Sequence, residues 1–210
     1  MPTKYAARTG ILSTRWKSLW TFVPTIDFNN CGGVNRKDES TGSCMDFVDG
    51  ALLLHNLPNI NKFLLPCGNE NPYRLNSWIC TAIKRRVQEL VITRTPMATV
   101  VELPRNLFTS VDLVVLKLTG QCALAVSLDG VFAASQGIQD TTCCDGCLLC
   151  GAPENVPKCF SLSLETIEFN GFSGCKSEMR LVRYLLENAM VLKKLTLHSW
   201  SRNEKIETDL

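Results

Sequence analysis

The stretch VQELVI, residues 87–92, decides the fold. Its apolar residues Val87, Leu90 and Ile92 stand in the first, fourth and sixth places. Alternate side chains of a strand share a face, so Leu90 and Ile92 point together, and Val87 falls in the turn ahead of them. The same spacing lies upstream in INKFLL (Ile60, Phe63, Leu65) and downstream in LVVLKL (Leu113, Leu116, Leu118). It returns in LETIEF (Leu164, Ile167, Phe169) and LKKLTL (Leu192, Leu195, Leu197). The segments start at 60, 87, 113, 164 and 192, with gaps of 27, 26, 51 and 28, and 51 is close to two periods. An L-x-x-L-x-L unit recurring every ~20–29 residues is the mark of a leucine-rich repeat. One match alone means little, because apolar triplets are common, but five in phase are hard to reconcile with unrelated strands.

Between the strands the periodicity changes to that of helices. LNSWICTAIKRR places Trp78, Ile79, Ala82 and Ile83 on one stripe, with Asn76 or Ser77 as the expected N-cap. Lys84, Arg85 and Arg86 close the segment, where cations suit a helix C-terminus. SEMRLVRYLLENAM sets Leu181, Leu185 and Ala189 on one side with Val182 and Leu186 beside them, and Ser177 can cap it. Strand, helix and strand in succession predict an α/β fold: a short leucine-rich-repeat solenoid with a parallel sheet.

Residues 121–160 break the pattern. The phase asks for a strand near Ile138, and the residues do not supply a good one. The segment instead gathers Cys143, Cys144, Cys147, Cys150 and Cys159 within 17 residues. Cys144, Cys147, Cys150 and Cys159 are the candidate metal ligands, since four thiolates can hold zinc tetrahedrally. An iron–sulfur run needs a fourth cysteine where Glu154 stands, and no histidine is near. A cysteine-rich loop without cofactor is the preferred reading.

Composition narrows the function. A formal net charge of +2 is too weak to argue for nucleic acid. No apolar run is long enough to span a membrane, and the N-terminus lacks the apolar core of a secretory signal. Eleven cysteines, an odd number with six scattered singly, fit a reducing compartment, so cytoplasm or nucleus is expected. The two histidines, His55 and His198, adjoin no nucleophile motif, and neither phosphate-binding glycine pattern is present. A non-enzymatic binding protein is expected.

The N-terminal residues then carry a specific resemblance. PTKYAARTGILSTRWKSLWTFVPTIDF (Pro2–Phe28) resembles the C-terminal half of an F-box of the plant F-box/FBD/LRR-repeat proteins. CMDFVDGALLLHNLPNINKFLL resembles the linker and first repeat of that family, and NSWICTAIKRRVQELVI and VELPRNLFTSVDLVVLKLTG the next repeats. SLETIEFNGFSGCKSEMRLVRYLLENAMVLKKLTLHS (Ser163–Ser199) resembles its FBD region. The organisation expected is a partial F-box over 1–28, a linker over 29–50, repeats over 51–120, the irregular segment 121–160, an FBD-like region over 161–200 and a tail over 201–210.

The resemblance implies a substrate adaptor of a Skp–cullin–F-box ubiquitin ligase, with a Skp-type adaptor and an unidentified protein substrate as partners. The apolar helix that opens an F-box is missing ahead of Pro2, so weakened ligase docking is expected. The candidate docking residues are Pro2, Ile11, Leu12, Trp16, Leu19 and Trp20. Five of them, Ile11 to Trp20, fall on one helical face, which serves either as core against the first repeat or as part of a docking surface. The alternatives are a stand-alone repeat protein without ligase role and a zinc-binding protein built on the cysteine cluster.

Overall fold

The structure, a computed structural model, describes residues 1–13, 18–29, 40–67, 72–94, 104–119, 158–172, 174, 176–199 and 205–209. Seven strands form one sheet in chain order: β1 Thr25–Asp27, β2 Lys62–Cys67, β3 Glu89–Arg94, β4 Val115–Thr119, β5 Thr166–Phe172, β6 Lys194–Ser199 and β7 Lys205–Asp209. The first six are parallel and β7 runs antiparallel to β6. The described α-helices are α1 Thr3–Arg8, α2 Ser40–Leu54, α3 Pro72–Lys84, α4 Lys158–Leu162 and α5 Lys176–Asn188.

Register turns the sequence signature into rows. Ile26, Phe63, Leu90, Leu116, Ile167 and Leu195 lie side by side across six strands. Leu65, Ile92, Leu118, Phe169 and Leu197 form the next inward row. Every one of these side chains is buried, with Phe63, Leu65 and Leu90 wholly out of solvent. Ile60, Val87, Leu113, Leu164 and Leu192, the first residues of each signature, are buried as well. Burying one such side chain stabilises by about 1.5–3 kcal/mol, and a repeated row lets each unit bury its apolar face against the next.

The turns repeat too. The carbonyls of Pro24, Gln88, Val114 and Glu165 each accept from two consecutive amides of the following unit: Asn61 and Lys62, Val114 and Val115, Glu165 and Thr166, Lys193 and Lys194. Pro24 therefore belongs to the same array, and β1 with it. The helical assignment of 1–28 is corrected at its end: Val23, Ile26 and Phe28 repeat the signature spacing, and Thr25–Asp27 form a strand.

Two more differences concern spacing. β4 and β5 are hydrogen-bonded neighbours, Leu116 beside Ile167, so no strand lies between them in the sheet; the strand expected near Ile138 lies outside the described residues. Residues 40–54, largely assigned to a linker, form α2, which buries Val48, Ala51 and Leu52. Part of the expected tail, Lys205–Asp209, forms β7 and covers the outer edge of β6.

The helices cover one face of the sheet. α3 buries Leu75, Trp78, Ile79 and Ala82, as its periodicity predicts, but begins at Pro72. Asn76 and Ser77 thus lie inside the helix and do not cap it. α5 begins at Lys176, so Ser177 is inside as well; it buries Val182, Tyr184 and Leu185, while Leu186 is exposed. Edge-on rings tie the ends of the core together: Phe28 against Phe47 and Phe63 near β1, Phe160 against Phe108 and Tyr184 near α4.

Candidate interaction surfaces

Two surfaces stand out, and a buried polar joint holds the first of them in place. The N-terminal segment is not one helix. After α1 a 3-10 turn spans Thr9–Ile11, Leu12 and Ser13 leave the helical path, and a second 3-10 turn spans Leu19–Phe22. Among the described residues the stretch expected to carry a single apolar face shows short turns, and residues 14–17 lie outside the described residues. Ile11 is 86% exposed, Leu12 74% and Leu19 56%, and Phe22 and Val23 are exposed beside them. These side chains do not serve as core. Trp20 is half-buried and packs on the core, and half-buried Pro2 starts α1, its carbonyl accepting from Tyr5 and Ala6. Trp16 lies outside the described residues.

Several hydrogen bonds bolt this segment to the first repeats. Thr3 Oγ1 accepts from the Asp27 amide at 2.8 Å, occupying a donor on the free edge of β1, where an unpaired strand invites association. The Asn56 amide donates to the Thr21 carbonyl at 2.9 Å, and Asn56 Nδ2 donates to Thr21 Oγ1 at 3.2 Å. His55, only 5% exposed, contacts the Val23 carbonyl through Nε2 at 2.9 Å and Arg85 Nη1 through Nδ1 at 3.1 Å. A guanidinium has no acceptor, so Nδ1 must accept and Nε2–H must donate. The ring is then neutral. Burial holds its pKa below the ordinary 6.5; the Val23 carbonyl works against this, and the Arg85 charge adds to it. A cavity of about 290 Å³ lies between α1, the second 3-10 turn, β1 and α2, lined by Thr3, Ala6, Trp20, Ile26, Ala51 and His55 among others.

Arg85 has a further task. It donates to the Leu52 and His55 carbonyls, both at 2.9 Å, where α2 ends and its last carbonyls lack helical partners. The cation expected to serve its own helix instead caps the neighbouring one. Arg86 ends α3 with φ of 55°. Its amide donates to Ile83 and that of Val87 to Ala82, the paired bonds of a Schellman cap.

The second surface is the sheet face opposite the helices. Lys62 Nζ donates to Glu89 Oε1 at 2.9 Å, Lys117 Nζ reaches Glu89 Oε1 at 3.7 Å and Glu168 Oε2 at 3.2 Å, and His198 Nε2 lies 3.6 Å from Glu168 Oε1. Asn170 Nδ2 donates to Glu168 Oε1 at 3.1 Å and contacts Thr119 Oγ1 at 3.3 Å. The result is a ladder of alternating charge across β2 to β6. Burial raises the Glu168 carboxyl, but the Asn170 hydrogen bond, Lys117 and His198 outweigh it, and the net pKa lies below the ordinary carboxylate value. Half-buried Leu64, Val91 and Val115 stand between the rungs as apolar contact points.

The cysteine candidates are not brought together by what is described. Cys144, Cys147 and Cys150 lie outside the described residues. Cys159 sits on α4, buried in the core. Burial pushes its thiol up to about 12, against hydrogen bonds from the Cys159 and Phe160 amides. Among the described residues no helix is long and apolar enough to cross a membrane.

Six parallel strands with rows of inward aliphatics, and helices among the described connections, fit a strand–helix repeat protein of the leucine-rich type. The comparisons agree. The FBD family matches residues 152–197. An Arabidopsis thaliana protein named for F-box, FBD and LRR repeats is 28% identical over 95% of this chain and 35% of its own length. An F-box/LRR-repeat protein of the same plant is 34% identical over 58% of this chain and 22% of its own, and an F-box protein 36% over 56% and 26%. The chain is thus similar to plant F-box/FBD/LRR-repeat proteins over most of its length, and residues 152–197 match the FBD family. It spans about a third or less of the length of these curated relatives. No solved structure matches it.

Proposed function

We propose that this chain is a protein-interaction adaptor, resembling the substrate-recognition subunit of a Skp–cullin–F-box ubiquitin ligase, that works in the cytoplasm or nucleus. The observation that carries the reading is the exposure of Ile11, Leu12, Leu19 and Phe22 on a segment fixed to the repeats by buried hydrogen bonds. Scattered exposed apolar residues are ordinary, whereas several gathered on one short segment mark an interaction site. A Skp-type adaptor docks there, with Trp16 and Trp20 as the aromatic anchors. The protein substrate lies on the outer sheet face, over Leu64, Val91 and the charge ladder. The adaptor performs no chemistry; it raises the effective concentration of its substrate near the ubiquitin-charged enzyme.

A pull-down with a plant Skp adaptor tests the docking. Wild-type chain is expected to be retained, and the Trp16→Ala and Leu12→Asp variants to be lost from the resin while remaining folded by circular dichroism. Equal retention of wild type and both variants removes the ligase role and leaves a stand-alone repeat protein.

A further inference from the structure

His55 is polar and buried, and it touches three parts of the molecule. Its ring belongs to the end of α2, its Nε2–H holds the Val23 carbonyl of the N-terminal segment, and its Nδ1 receives the Arg85 guanidinium from the end of α3. We propose that His55 is a proton-operated latch: when neutral it fastens the N-terminal segment to the first repeats, and when protonated it releases that segment while the sheet stays folded.

The geometry supplies the reason. Protonation would put an N–H on Nδ1, aimed at an arginine N–H 3.1 Å away. Two donors and two positive charges would then face each other in a largely buried site. The groups facing the ring from each packed element can be named. α3 brings Arg85; the second 3-10 turn and β1 bring the Val23 carbonyl and line the shared cavity with Trp20 and Thr25; α1 brings Thr3 and Ala6, with Met1 beside them. Among the described residues no carboxylate is bonded or ion-paired to His55, so the Val23 carbonyl is the one bonded group that favours a charge on it. The ring and Arg85 must part, and Arg85 must then hold the Leu52 and His55 carbonyls without it.

What is set free is limited in extent. The contacts at stake are His55 to Val23, Asn56 to Thr21 and Thr3 to Asp27, all at the first unit. The pairings of β2 through β6 do not pass through His55. The consequence is that Ile11, Leu12 and Leu19 ride on a platform that is rigid at neutral pH and loosened by acid. This holds whether or not a Skp-type adaptor uses that platform, and the test below involves no partner.

Linkage sets the size of the effect. If the ring stays neutral while latched and takes up a proton near pH 6.5 when released, the opening constant rises by up to about tenfold between pH 7.5 and 5.5. Hydrogen exchange on the full chain, corrected for the intrinsic pH dependence of amide exchange, reads this at the Asn56 amide and across residues 3–23. The expected result is a loss of protection there of up to about tenfold, with strand amides of β3 to β5 unchanged. His55→Gln keeps a donor for Val23 and an acceptor for Arg85 but does not titrate, so its protection is expected to be flat over the same range. Nitrogen-15 spectra of the ring are expected to show the Nε2–H form at pH 7.5. A flat wild-type profile, an equal loss in His55→Gln, a parallel loss in β3 to β5, or the Nδ1–H form would each overturn the latch.

Discussion

Arg85 joins three elements through one planar side chain, and its removal gives the most discriminating test of how the first repeats hold together. Nη1 donates to the His55 carbonyl and meets its ring, and Nη2 donates to the Leu52 carbonyl. In Arg85→Met the aliphatic stem is kept, and the C-terminus of α2 loses its cap. A hydrogen bond with a charged partner is worth about 1.5–3 kcal/mol, and a stranded buried carbonyl costs in the same range. The three contacts share one group and the side chain is partly solvated, so they do not add. The expected loss is roughly 2–4 kcal/mol in urea unfolding at pH 7.5. For a chain of this size that lowers Tm by about 5–15 °C. Arg85→Lys retains the charge but cannot span two carbonyls and a ring together, and is expected to recover less than half. A loss under about 1 kcal/mol in Arg85→Met, or full recovery in Arg85→Lys, would show that the planar fork is not what caps α2.

Three further outcomes follow from other sites. Arg86 holds the left-handed position of the α3 cap, so Arg86→Gly is expected to unfold at higher urea than Arg86→Ala; both variants lose the Asp112 ion pair, which leaves backbone conformation as the difference, and an Ala variant equal to Gly would contradict the cap. Cys159 is expected to resist maleimide labelling at pH 8 until urea unfolds the chain, as read by mass spectrometry; because its thiol pKa is raised to about 12, the stability it contributes is complete below the unfolded value near 9 and declines as pH rises from there toward 12. Glu168 has a folded pKa below its ordinary 4.5, so its contribution is present above that value and is lost as pH falls through the folded one; Glu168→Gln is expected to flatten the acid side of the stability profile, and an unchanged profile would mean the ladder adds nothing.

What the sequence discloses follows from which interactions repeat. Phe63, Leu90, Leu116, Ile167 and Leu195 were legible because the same burial is demanded at the same offset in each unit. Val23, Ile26 and Phe28 obey the same offset, yet they sit 37 residues before the next start and within a stretch that resembles an F-box, so the strand was missed although its signal is present. The phase misled in the other direction after Leu118. A period constrains only the ends of a crossover, and β4 pairs with β5 whatever length of chain runs between them. Loop closure grows slowly with length, by about 0.6 kcal/mol per doubling, which is why so unequal a connection is tolerated. The joint of His55, Arg85 and Val23 had no linear sign at all, since its partners lie 30 and 32 residues from the histidine and none of them forms a motif.

The outer face was hidden for a related reason, and its chemistry bears on recognition. Lys62 and Glu89 share one register row, Lys117 and Glu168 the next, and His198 the one beyond, so the ladder climbs diagonally across strands that are separated by 27 to 51 residues. Only the register reveals it. Once the register is known, the alternation has a clear consequence: Lys117 is divided between two carboxylates, Glu89 lies between Lys62 and Lys117, and Glu168 lies between Lys117 and the His198 ring. Little unpaired charge is left along the ladder to draw a partner from a distance, and a neutralised row gives weak long-range steering. A protein seated on this face therefore gains its affinity from fit over Leu64, Val91 and Val115, with the ladder penalising a misplaced charge. Reversing one rung, as in Lys117→Glu, would set three carboxylates side by side across β3, β4 and β5, and is expected both to change which partners are accepted and to make their association rate depend on salt.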